Sequence, residues 1–106
     1  MASPTLTNYR AVKAQYPDYV LLWRMGDFYE ALEADAKLFS EACDVALVSR
    51  VVLGNERVAM AGVPYHSVER YIRKLVDAGH KVALADPSIV DPGVAHVRMV
   101  VVSDQV

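Results

Sequence analysis

Gly26-Asp27-Phe28-Tyr29-Glu30 follows the apolar run Tyr19-Val20-Leu21-Leu22-Trp23, and how this junction is read decides the fold. The run is short, apolar and rich in β-formers, so it reads as a strand. Gly26 breaks it. Beyond the break, Phe28 and Glu30 stand two residues apart and point the same way by the period-two rule of extended chain. Two readings are open. Phe28 and Tyr29 can be ordinary core aromatics, with Glu30 starting a helix. Alternatively, a solvent-facing phenylalanine beside a carboxylate is poor core design, but it suits a wedge that unstacks bases with a hydrogen-bonding group at its side.

Toward the N-terminus, Ser3-Pro4 is a helix start, with Ser3 as N-cap and Pro4 in the first turn. Leu6, Tyr9, Val12 and Tyr16 follow at helical spacing, and Pro17 ends the element. Toward the C-terminus, residues from about Ala31 to Cys43 read as a helix with the stripe Leu32, Ala36, Phe39 and Cys43. Glu33 and Asp35 fall off that stripe and read as solvating it. Asp44 to Val52 reads as a strand, Leu53-Gly54-Asn55-Glu56 as a turn, and Arg57 to Met60 as the returning strand.

Gly62 and Pro64 punctuate a tight loop in this reading, and Ser67 caps a helix carrying Val68, Tyr71, Ile72, Leu75 and Val76, ended by Gly79. Lys81 to Ala85 is a further strand, Asp86-Pro87 and Asp91-Pro92-Gly93 are loop, and Val94 to Val102 is a last strand. Strands and helices alternate, yet one strand pair reads as a hairpin. The expectation is an α/β fold, a mixed sheet of about five strands packed with about three helices, forming a single domain over residues 1–106.

Composition narrows the function classes. The chain is 54% hydrophobic and 23% charged, which fits a folded domain and argues against disorder. Its one cysteine, Cys43, cannot close an internal disulfide, and no apolar run approaches a membrane span, so a cytoplasmic location without membrane attachment is expected. The formal net charge is −2, from 11 Lys and Arg against 13 Asp and Glu, which is the wrong sign for unaided phosphate binding. Arg70, Arg73 and Lys74 form the densest basic cluster and read as a solvated helix face.

Three histidines, His66, His80 and His96, are scattered, with no H-x-x-H or C-x-x-C, so no metal site is expected. There is no phosphate-binding loop of the G-x-x-x-x-G-K type. Cys43 lies on a buried stripe and reads as core rather than as a nucleophile. The reading is of a non-enzyme without a cofactor.

A second stretch bears on Phe28. Met60-Ala61-Gly62-Val63-Pro64-Tyr65-His66-Ser67-Val68-Glu69 runs into Tyr71-Ile72-Arg73-Lys74-Leu75-Val76-Asp77-Ala78-Gly79. With Arg24-Met25-Gly26-Asp27-Phe28-Tyr29-Glu30 and Lys81-Val82-Ala83-Leu84-Ala85, in this order and spacing, the chain resembles the N-terminal mismatch-recognition domain of the MutS DNA mismatch-repair family. The resemblance runs from about Thr5 to about Val102.

It implies a DNA-binding module whose F-x-E element, here Phe28 and Glu30, enters the minor groove at a mispair. Phe28 would stack on the mispaired base and Glu30 would hydrogen-bond it. Met25 and Met60 match methionines flanking the wedge, with core packing as their other reading. Arg50 matches a basic position next to the DNA, with a solvated strand end as its other reading. Gly62, Pro64 and His66 shape the loop before Ser67. The implied partners are double-stranded DNA with a mismatch or distortion and a possible repair protein; ATP binding belongs to other parts of the family's chains.

The chain departs from the family pattern at Ser49, where a basic residue is usual, at Ala85-Asp86-Pro87, where Cys-Glu-Gln is usual, and along a less basic last strand. Two functions of different class follow. One is a DNA-binding module acting through Phe28 and Glu30. The other is an accessory protein-interaction domain that keeps the fold with little DNA affinity. If the first holds, Arg50 and some of Arg24, Arg57 and Arg98 should share the face that displays Phe28.

Overall fold

Among the described residues, two helices cover one face of a six-stranded sheet and a third lies on the other, so that part of the second face is left open for a site. The computed structural model describes residues 4–51, 57–87 and 95–100. The elements run α1 (Pro4–Gln15), β1 (Tyr19–Met25), β2 (Phe28–Leu32), α2 (Ala34–Cys43), β3 (Val48–Val51), β4 (Arg57–Pro64), a 3₁₀ turn (Tyr65–Ser67), α3 (Val68–Asp77), β5 (Lys81–Pro87) and β6 (Ala95–Val100). The sheet order is β3-β4-β2-β1-β5-β6. β1 and β5 run parallel, while every other neighbouring pair is antiparallel. The mixed α/β fold is therefore as expected, and the strand beyond the expected five is β2.

Alternation along each strand builds two cores. Val20, Leu22, Tyr29, Ala31, Val63, Val82 and Leu84 face α2 and α3, where Phe39, Cys43, Ile72 and Leu75 meet them. Leu21, Trp23, Leu32, Val58, Met60, Ala83 and Ala85 face the other way and cluster with Leu6 and Tyr9 of α1. The helical spacing of Leu6 and Tyr9, and of Val68, Ile72 and Leu75, is thus the spacing of buried side chains.

Several boundaries differ from the expectation. Ala31 and Leu32 are strand, not the first turn of α2, because they pair with Ala61 and Met60 of β4. Leu32 consequently belongs to the α1 side, away from the Ala36, Phe39 and Cys43 stripe. Glu33, at φ 59°, turns the chain from strand to helix, and its amide donates to the Ala59 carbonyl at 2.9 Å. At the other end of α2, Asp44 takes a left-handed conformation (φ 58°), so β3 starts at Val48 and not at Asp44.

Gly62 and Pro64 lie inside β4 and not in a loop, and Asp86 and Pro87 pair with His96 and Ala95 as the end of β5. Ser67 precedes α3, but its side chain makes no capping bond. The Ser3 cap, the Leu53–Glu56 turn, the Asp91–Gly93 loop and the last residues of the final strand lie outside the described residues.

Asp35 is the largest departure. Expected to solvate α2, it is buried, with 6% of its surface exposed. β2 ends at Leu32, and in the gap beyond its pairing with β1 the Leu21 amide donates to Asp35 Oδ2 at 2.9 Å. The Tyr9 hydroxyl donates to the Leu21 carbonyl at 2.7 Å and accepts from the Leu32 amide at 3.1 Å. Lys13 Nζ lies 3.0 Å from Asp35 Oδ2 and also donates to the Tyr19 carbonyl. Buried backbone groups need partners, and here side chains of α1 and α2 supply them where the strand ladder splays.

Candidate nucleic-acid interface

The hairpin between β1 and β2 places Phe28. Met25 and Phe28 face each other in the register, leaving Gly26-Asp27 as a two-residue loop. Two-residue hairpins match the sheet twist with a positive φ in the loop, and Gly26 supplies it at φ 58°. An added Cβ there would meet nothing within 4 Å, so conformation rather than space calls for glycine. The Tyr65 amide donates to the Asp27 carbonyl at 2.7 Å and ties the loop to the 3₁₀ turn that precedes α3.

Cross-strand rows then assemble the site. Met25, Phe28 and Pro64 form one row, Trp23, Glu30 and Gly62 the next, and Leu32, Met60 and Val48 stand across β2, β4 and β3 in a third. Phe28 is 41% exposed whereas Phe39 is 0% exposed, so the two phenylalanines of the chain have opposite surroundings. Glu30 is half-buried. Phe28, Glu30, Ala46, Val48, Met60 and Gly62 line one open groove on the sheet face beyond α1.

The remaining expected residues separate. Met25 is half-buried next to the α1-side core, on the same face as Phe28. Met60 is buried, and core packing describes it although it forms part of the groove floor. Arg50 stands opposite Val58 in the register, and its side chain lies outside the described ones. Val48, Ala46 and Gly62 also line the groove, and no motif in the sequence marks them for it. The alternation of Val58, Met60 and Gly62 is a strand signal that competes with the loop signal of the Gly-x-Pro spacing, and pairing with β2 decides for the strand.

For Arg24 and Arg57 the charge expectation is corrected by the alternation of side chains. Arg24 pairs with Tyr29, lies on the opposite face from Phe28, and places its guanidinium over the rings of Tyr65 at 4.1 Å and Tyr29 at 5.7 Å. Tyr29 in turn donates to Asp86 Oδ1 at 2.6 Å. Arg57 alternates to the same side as Ala61 and Val63 and donates to the Ser49 carbonyl at 3.0 Å. Arg98 pairs with Leu84 in the register, and its side chain lies outside the described ones.

Cys43 is free and buried, and burial pushes its thiol pKa up, against the needs of a nucleophile. Among the described residues no three His, Cys, Asp or Glu side chains form a group fit to hold a metal ion. No helix among them is long and apolar enough to cross a membrane. His66 is exposed and stacks against Tyr65, with ring centroids 3.9 Å apart.

Comparison with known proteins gives this geometry its relatives. A family model described as MutS domain I matches residues 3–101. The DNA mismatch repair protein MutS of Desulfitobacterium hafniense (strain Y51) is 43% identical over 95 residues, covering 90% of this chain and 11% of that protein. The protein of the same name from Streptococcus equi subsp. equi (strain 4047) is 48% identical over 84 residues, covering 79% of this chain and 10% of that protein. The chain thus spans about a tenth of the length of the curated relatives it matches. It belongs to the MutS domain I family.

Proposed function

We propose that residues 1–106 act as one mismatch-reading module, without catalytic residues or a cofactor of its own, working on double-stranded DNA in the cytoplasm. Phe28 inserts into the minor groove at a mispaired or distorted site, and Glu30 hydrogen-bonds the base beside it. The observation that carries this reading is an exposed phenylalanine two residues from a carboxylate on one strand, both lining one groove. Apolar insertion costs a few kcal/mol of unstacking and kinks the duplex by roughly 20–90°. A mispair has already lost part of its stacking, so the difference in deformation cost is what the module reads.

Met25 and Met60 flank the wedge, and Arg50 supplies positive charge at the end of β3. Glu30 acts as a specific acceptor, or as a donor when its carboxyl carries a proton. Repair proteins and the ATP-binding parts that the resemblance implies for longer members of the family are the partners of this module.

A second reading has its own observation. Arg24 and Arg57 lie on the face away from Phe28, and the chain is net negative, which favours an accessory protein-interaction domain with little DNA affinity. Titrating mispaired and matched duplexes into the chain at low salt, by fluorescence anisotropy, separates the two. The mismatch reading expects tighter binding of the mispaired duplex and loss of that preference in Phe28→Ala. No binding of either duplex by the unmutated chain assigns it to the accessory reading.

A further inference from the structure

Glu30 stands between two very different neighbours. On one side it pairs with Trp23, a large buried ring that packs on Tyr9 with centroids 6.0 Å apart. On the other it pairs with Gly62. Directly paired side chains in adjacent strands sit about 4.5–5.5 Å apart at their Cβ atoms and compete for the same space. The Glu30 carboxylate lies over β4, where a Cβ added to Gly62 would collide with its Cδ and with both carboxylate oxygens, Oε2 at 2.7 Å among them.

Backbone conformation does not explain the glycine. Gly26 and Gly79 take positive φ values, and Gly62 does not. Nor does crowding by the backbone, because the three nearest atoms to an added Cβ all belong to the end of the Glu30 side chain. What Gly62 provides is a place for one carboxylate. We infer that Gly62 is a positioning residue for Glu30, its missing side chain forming the seat that holds the carboxylate in the groove shared with Phe28. This deepens the mismatch reading and rests on it for its effect on DNA, while the seat itself is a property of the free chain.

The consequence is an unusual pairing of effects. Gly62→Ala adds a methyl at a position whose φ an alanine adopts, so the strand loses nothing and the unfolded chain loses freedom. The flexible Glu30 side chain yields, and its carboxylate leaves the seat. A residue that merely holds the fold would behave in the opposite way.

The test compares the unmutated 106-residue chain with Gly62→Ala, Glu30→Ala and the double variant, by thermal melting and by anisotropy on mispaired and matched duplexes at low salt. Gly62→Ala should melt at the same temperature or higher, while its preference for the mispaired duplex falls by about tenfold, the worth of one hydrogen bond to a charged group. Glu30→Ala should fall equally, and the double variant no further. Full preference in Gly62→Ala overturns the inference, as does a further equal fall in the double variant, or a lowered melting temperature with equal loss on both duplexes. If the unmutated chain shows no preference, the mismatch reading fails by itself. The carboxyl carbon resonance of Glu30 in the free chain then decides the seat: a displaced resonance in Gly62→Ala supports it, and an unchanged one overturns it.

Discussion

The Leu21 amide donates to the Asp35 carboxylate at 2.9 Å, a buried bond that joins the central strand β1 to the first turn of α2. Asp35→Ala leaves that amide without its partner and strips Lys13 of its counter-ion. The expected cost is about 3 kcal/mol, because a buried donor loses its acceptor and a charge loses its pair. Glu41→Ala, an exposed acid on the same helix, should stay within about 0.5 kcal/mol. Urea denaturation of the two variants checks the contrast, and equal small effects would refute the role given to Asp35.

Tyr9 makes stability depend on alkaline pH. Burial first, and the nearby Asp35 charge second, hold its phenol well above the usual tyrosine range. The unfolded chain releases this proton near pH ~10, whereas the folded chain keeps it. Its contribution is therefore whole below about pH 10 and is lost as pH rises through the higher folded value. Near-ultraviolet titration should show a tyrosine component that ionises only as the fold melts, and Tyr9→Phe should reduce that component. The same substitution leaves the Leu21 carbonyl and the Leu32 amide unpaired and should cost about 1–3 kcal/mol at neutral pH.

The two phenylalanines should separate stability from recognition. Phe39→Ala opens a cavity in the α2 and α3 core and should cost about 3–5 kcal/mol. Phe28→Ala removes a side chain already 41% exposed and should cost about 1 kcal/mol or less, while abolishing any preference for mispaired DNA. That preference derives from stacking, worth on the order of 1–3 kcal/mol per base. Melting curves and duplex titrations of both variants give the comparison. A Phe28→Ala chain as unstable as Phe39→Ala would return Phe28 to the core.

Glu30→Gln probes the sign of the charge in the groove. Removing a negative charge near phosphates should raise affinity for matched duplex, most visibly at low salt, and lower the ratio of mispaired to matched binding. Anisotropy at two salt concentrations reads both quantities. A ratio that stays constant while both affinities rise would reduce Glu30 to an electrostatic bystander.

The spacing of Leu6 and Tyr9, of Ala36, Phe39 and Cys43, and of Val68, Ile72 and Leu75 was enough to locate three helices and their buried faces, and the run from Tyr19 to Trp23 was enough to locate the central strand. Those signals are local, since a helix or strand repeats its own geometry every few residues. The contrast of Phe28 with Phe39 was legible for the same reason: one follows a turn glycine, the other sits on a helical stripe. What lay beyond the sequence was every feature set by a partner far along the chain. Ala31 and Leu32 extend as strand because β4 arrives beside them, and Asp35 is buried because β1 needs an acceptor where β2 departs. Arg24 turns from Phe28 to the aromatic pair Tyr29 and Tyr65, and Gly62 faces Glu30 in place of turning a loop. Periodicity assigns a residue to a face, but only the tertiary register decides which residue meets it there, because that neighbour comes from another part of the chain.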